Sequence, residues 1–139
     1  MLSWEPVSDR IITVRLRTHY TCATVIQIYA PTEAALDNDK DFYNQVSAVL
    51  DDIPSYDLKI LMRDLNAQIG QDTAGFENVI GKEAMGQRTD NGLRFLSLCS
   101  SNGLRVGGSI FTQKRIHKGT WVSPDGATVN KIDHICISQ

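Results

Sequence analysis

The sequence predicts an α/β fold of the α+β kind, with mostly antiparallel strands flanked by helices. Three observations predict it. Residues 10–29 carry two stretches of alternating or β-branched residues with a reversal between them. Residues 37–53 and 91–101 repeat apolar side chains at helical spacing. Residues 104–137 break into short β-forming runs separated by Gly, Pro, Asn and Asp. A chain of 139 residues that is 42% hydrophobic builds one modest core and is too short for two ordinary domains.

Each element has a local reason. Ile12, Val14 and Leu16 point one way from a first strand beginning at Arg10, and Thr13, Arg15 and Arg17 point the other. Glu5 and Asp9 precede that strand. His19-Tyr20 is the reversal, and Cys22 to Tyr29 is a second strand that Pro31 cannot continue, because proline has no N–H for a ladder. Asp37 to Ile53 reads as a helix with Phe42, Val46, Val49, Leu50 and Ile53 on one stripe and acids in its first turn; Pro54 stops it. Leu58 to Met62 is a short buried strand that delivers Arg63-Asp64-Leu65-Asn66 to the end of the sheet. Residues 70–88, with glycines at 70, 75, 81 and 86 and no period, read as a long loop. Asn91 to Ser101 is a second helix with Leu93, Phe95, Leu96 and Cys99 as candidate inner residues, Asp90 as its N-cap and Asn102-Gly103 as its stop. Strands are expected at Leu104–Val106, Ser109–Thr112, Thr120–Val122, Val129–Ile132 and Ile135–Ile137, with a hairpin turn at Pro124-Asp125-Gly126.

Composition excludes several classes. The net charge is −2 and the charged fraction 22%, so neither a disordered charged tail nor a whole-protein basic patch for nucleic acid fits. Charge is uneven: residues 33–72 hold nine acids and three bases, a net of −6, and residues 111–139 hold four bases and two acids, a net of +2. No apolar run approaches the roughly 20 residues needed to span a bilayer, and MLSWEPVSDR lacks the basic-then-apolar order of a signal peptide. An intracellular protein, nuclear or cytoplasmic, with no membrane partner is expected. Cys22, Cys99 and Cys136 are an odd number without C-x-x-C spacing, so no disulfide partner is expected either.

The segment richest in chemistry is Lys59-Ile60-Leu61-Met62-Arg63-Asp64-Leu65-Asn66-Ala67. A buried strand ending in Asp-x-Asn sets two short polar side chains on one face. The carboxylate can take a proton from water, and the carboxamide can donate to a phosphate oxygen. The bland alternative is an Asx turn that closes the strand.

Company decides between them. Tyr29-Ala30-Pro31-Thr32, Arg63-Asp64-Leu65-Asn66, Thr120-Trp121 and Ile132-Asp133-His134 follow in order. This set resembles the endonuclease/exonuclease/phosphatase superfamily, whose usual forms are YxP(N/T), GDxN and (I/L)D(Y/H). Residues 10–18, Asn91 to Arg94 and Lys118 to Gly126 are similar to the apurinic-type endonuclease domain of non-LTR (LINE-type) retrotransposons and to the craniofacial-development-protein-2-like sequences derived from it. The resemblance implies a β-sandwich flanked by helices and Mg²⁺-assisted hydrolysis of a phosphodiester in DNA. By it, Asp64 positions or deprotonates the attacking water, and Asn66 holds the phosphate and the carboxylate. Tyr29 contacts a phosphate oxygen, and Asp133 orients a catalytic histidine. Asn91 and Trp121 are candidate substrate-binding residues on the same ground.

The departures from the pattern are equally specific. The family's glutamate motif has no match, so no metal ligand is assigned, and its Ser-Asp-His lies beyond the match. Residues 1–139 are therefore expected to be the C-terminal half of such a domain, incomplete at both ends and weakly active or inactive alone. His134 occupies a position usually held by tyrosine and should face away from Asp133; His19 and His117 read as surface residues. Arg63 stands where the family has glycine, and is expected either to crowd the layer behind the site or to pair with Asp64. Two alternatives stay open: a catalytically dead interaction module, and a superfamily phosphatase or phosphodiesterase whose substrate is not DNA.

Overall fold

The computed structural model describes residues 1–34 and 39–139. Ten regular elements carry the chain: β1 (Ser3–Pro6), β2 (Ile11–Arg17), β3 (Cys22–Ile28), α1 (Asp39–Asp52), β4 (Leu58–Asp64), α2 (Asp90–Ser101), β5 (Leu104–Val106), β6 (Trp121–Val122), β7 (Val129–Asn130) and β8 (Asp133–Ser138), joined in places by short 3-10 turns. Six strands form one sheet in the order β1-β2-β3-β4-β8-β5, and β6-β7 is a separate hairpin. Among the described residues only β3–β4 is a parallel pair; the other pairings are antiparallel. A parallel pair needs a crossover, and α1 supplies it.

The sequence pattern located most of these elements, and four details differ. The expected first residues of α1 at Asp37 and Asn38 lie outside the described residues. β1 was not anticipated, and Glu5 lies within it opposite Thr13. Ser109–Thr112 is not a strand: Gly107–Ser109 make a 3-10 turn in which the Ser109 hydroxyl donates to Val106 O at 2.6 Å and accepts from Gly81 N–H. The N-cap of α2 is Thr89 rather than Asp90, with Thr89 Oγ1 accepting from Gly92 N–H, and Leu93 of that helix is exposed.

The core lies on one face of the sheet. Ile11, Ile26, Ile28, Leu61, Cys136, Leu104 and Val106 are buried beneath Phe42, Val46 and Leu50 of α1 and Phe95, Leu96 and Cys99 of α2. That face also takes the side of β2 that reads as polar. Arg15 reaches Asp57 with two hydrogen bonds, Nε to Oδ2 at 2.7 Å and Nη2 to Oδ1 at 2.9 Å, and Thr24 Oγ1 adds a third at 2.8 Å. The guanidinium lowers the Asp57 carboxyl below its ordinary range, so the pair is charged although the Asp57 side chain is fully buried.

The opposite face is open and apolar. Register sets Trp4, Val14, Val25, Ile60 and Ile137 in one row across five strands, and Pro6, Ile12, Gln27, Met62 and Ile135 in the next. Trp4 is 57% exposed and Ile135 56%, whereas Ile26 and Leu61 on the helix side are fully buried. A continuous row of this kind is an association surface. We expect the isolated 139-residue chain to self-associate at micromolar concentration, and Trp4→Lys with Ile135→Lys to shift it towards monomer. Sedimentation velocity over a concentration series checks this; a concentration-independent monomer with the wild-type rows intact contradicts it.

Candidate functional site

The candidate residues meet where β3, β4 and β8 end. Asp64, last in β4, is the direct register partner of Asp133, first in β8. Opposed residues of an antiparallel pair have Cβ atoms about 5 Å apart, so register sets Asp64 opposite Asp133 at the end of the sheet. Ala30, just past β3, donates its N–H to Asp64 O at 2.9 Å, and Leu65 N–H donates to Ile132 O at 3.0 Å. The strand end is thus tied on both sides.

Beyond Asp64 the chain leaves the strand. Asn66 sits in the left-handed region at φ 44°, with its N–H donated to Asp64 Oδ1 at 2.9 Å and its Nδ2 to Ala30 O at 2.7 Å. The Asx turn that closes the strand is therefore present, and the simple alternation expected for Asp-x-Asn does not extend past Asp64. Tyr29, half-exposed, precedes Ala30; its ring lies 5.5 Å from the Arg10 guanidinium, and its carbonyl accepts from Arg10 Nη1 at 3.4 Å.

Asn91 is buried, not exposed to a substrate. Its Nδ2 donates to Pro31 O at 2.9 Å and Asn66 O at 3.3 Å, and its Oδ1 accepts from Arg94. From the N-terminal turn of α2 it holds the two loops that carry Tyr29 and Asn66. Gly92 beside it is required by space: a Cβ there would lie 1.8 Å from Gln68 O. Trp121, 41% exposed, lies on the β6–β7 hairpin, whose root is anchored by Thr120 Oγ1 accepting from Ile132 N–H and Asp133 N–H. Thr120 and the Ala30 and Gln68 carbonyls were not singled out from sequence; only the neighbouring Thr-Trp and Ala-Pro motifs point to the first two.

His134 points away from Asp133, as its place in the strand requires. It is buried, stacked on Phe95 at 5.5 Å, with Nε2 2.8 Å from Ala67 O. That carbonyl only accepts, so Nε2 carries the proton and the buried Nδ1 is an acceptor with no partner. Burial pushes the imidazole down to about 4. It is a neutral core residue. His19 and His117 are exposed turn residues.

Arg63 follows neither expected course. Its side chain is exposed, and it makes no ion pair with Asp64 or any other carboxylate among the described residues. What it does share with the glycine it resembles is the backbone: its φ is 109°. A non-glycine residue there is strained.

Among the described residues no three His, Cys, Asp or Glu side chains converge as a metal cage. Asp64 and Asp133 are opposed in register, and magnesium is commonly held by one or two carboxylates when water and substrate phosphate complete its shell. A cleft of about 580 Å³ lies at the far end of the sheet around Asp57, Lys59 and Ser138 and is lined by none of these residues. Cys22, Cys99 and Cys136 are free thiols, and no helix among the described residues is long and apolar enough to cross a membrane.

The chain is 33% identical over 134 residues to craniofacial development protein 2 of Bos taurus and 31% identical over 134 residues to that of Tragulus javanicus, covering 95% of this chain in each case. It spans only 22% and 23% of those relatives' lengths. Its fold matches the endonuclease domain of TRAS1, a telomere-specific non-LTR retrotransposon, with a TM-score of 0.63 at 14% identity, over 95% of this chain and 52% of that one. It also matches an endonuclease/exonuclease/phosphatase family protein from Leptotrichia buccalis, with a TM-score of 0.58 at 16% identity, over 93% and 41%. No family model matches the chain. The fold is that of the endonuclease/exonuclease/phosphatase proteins, as the motifs implied.

Two consequences can be measured. Glycine has no steric penalty at φ 109°, so Arg63→Gly should raise stability by about 1–2 kcal/mol in a urea titration; a loss of stability contradicts the strain. An unfolded histidine titrates near 6.5 and His134 in the fold near 4, so between these values the unfolded chain binds the extra proton. Stability should therefore be complete above pH 6.5 and fall by about 3 kcal/mol as the pH drops through 4. His134→Gln should flatten that limb, and an unchanged limb would exclude His134 as its source.

Proposed function

We propose that this chain carries the water-activating and phosphate-holding part of a DNA phosphodiesterase site. The observation that carries the reading is the register pairing of Asp64 with Asp133, beside an Asn66 locked by its own N–H and Nδ2. Such a group does phosphoryl chemistry by position and charge more than by covalent steps.

In this reading the Asp64 carboxylate accepts the proton of the attacking water. Asn66, held by Ala30 O through one amide hydrogen, has its second amide hydrogen for a phosphate oxygen. Tyr29 donates its hydroxyl to another phosphate oxygen, and Trp121 offers its ring to the DNA from the hairpin. Asn91 acts as a positioning residue, because its polar atoms are committed to Pro31, Asn66 and Arg94. Magnesium, when bound at Asp64 and Asp133, would polarise the phosphate and lower the pKa of a coordinated water. His134, buried and neutral, takes no part.

We also infer that residues 1–139 are the C-terminal half of such a domain. The open apolar face and the 52% coverage of the TRAS1 domain support this. A nicking assay on supercoiled plasmid with Mg²⁺ therefore uses the chain joined to the matching remainder of a relative's domain. Asp64→Asn should lower the nicking rate at least about 100-fold, the range for losing a positioned base, with Asp133→Asn also impaired and melting unchanged. Nicking at the parental rate by Asp64→Asn overturns the assignment.

A further inference from the structure

Arg63, the residue before Asp64, borders a second feature that the hydrolytic reading leaves unused. A cleft of about 310 Å³ is lined by Ser8, Asp9, Arg10, Gln27, Tyr29 and Arg63 among others. Two arginines and one aspartate border it, and neither arginine is in an ion pair among the described residues. Arg10 is held loosely, by one 3.4 Å hydrogen bond to Tyr29 O and by the Tyr29 ring at 5.5 Å. Arg63 borders the cleft from a backbone at φ 109°, a conformation that costs free energy for any side chain. An unpaired cation kept at a strained position beside a candidate site is the arrangement expected of a ligand contact.

We propose that Arg10 and Arg63 bind a second phosphate of the same nucleic-acid strand, next to the phosphate engaged at Asp64. The inference rests on the functional reading above. A strand carries one phosphate per nucleotide, so a phosphate held at Asp64 presents another nearby. Consecutive Cα atoms are about 3.8 Å apart, which puts the Arg63 fork within reach of it. Guanidinium forks bind phosphate through paired N–H donors, and Tyr29, shared by both sites, closes the gap between them. The two sites together select a polyphosphodiester over a lone phosphate group.

The test is fluorescence anisotropy of a labelled single-stranded 12-mer with the 139-residue chain in EDTA, so that binding is read without turnover. Arg63→Gly and Arg10→Gln should each weaken binding about 3- to 10-fold, and each should reduce the slope of log K against log salt by about 0.7, the value for one phosphate contact on a single strand. Arg63→Lys should keep the slope while losing part of the affinity. Asp64→Asn should leave the Arg63 dependence intact, so a failed nicking assay and a failed binding assay remain distinguishable. Because Arg63→Gly is expected to be the more stable protein, its weaker binding cannot come from unfolding. Absence of strand binding by the wild type, or an Arg63→Gly variant with unchanged affinity and slope, overturns the proposal. So does Arg63-dependent binding to phosphatidylserine vesicles without binding to the strand.

Discussion

The structure depends on β4 being paired on both sides in two senses, parallel to β3 and antiparallel to β8. Leu61, fully buried, sits between Ile26 and Cys136 in that register. A one-residue slip would turn Leu61 to the open face and Asp64 into the core, so burial fixes the register. Once it is fixed, the end of β4 meets Ala30 on one side and Asp133 on the other. The pairing that builds the core therefore also sets Asp64 opposite Asp133.

The sheet uses its two faces in an unexpected way. On β2 the apolar set Ile12, Val14 and Leu16 lies on the open face, while Thr13 and Arg15 face the helices with Ile11. Arg15, still partly exposed, is tolerated there because it meets Asp57, whose buried carboxylate also accepts from Thr24 Oγ1. Two apolar faces on one sheet are what a strand in the middle of a sandwich needs. A reading by alternation sees which residues share a side, and nothing in it says which side the helices take.

The site is held by backbone and carboxamide contacts more than by ion pairs. Asn66 ties Asp64 to Ala30, Asn91 ties Asn66 to Pro31, and Gln68 O closes on Thr89 N–H at 3.1 Å where Gly92 leaves room. Apart from Asn66 N–H to Asp64 Oδ1, each contact is between segments far apart in sequence. The left-handed backbone at Asn66 and Arg63 is the local consequence, since the chain must leave the strand while keeping both side chains at the strand end.

The sequence by itself determined the helices, most of the strands and the order of the motifs, because these follow from spacing, proline and glycine within a few residues. It also determined that His134 opposes Asp133, a matter of strand alternation. It did not determine that Asn91 is buried, that Thr89 rather than Asp90 caps α2, or that Arg63 is strained in its backbone and not in its packing. β1 was hidden because Trp4-Glu5-Pro6 lacks a strand pattern of its own and pairs only through the register that β2 offers. These were decided by tertiary structure, because each depends on a carbonyl or a strand edge brought in from elsewhere in the chain, and a local pattern carries no record of that partner.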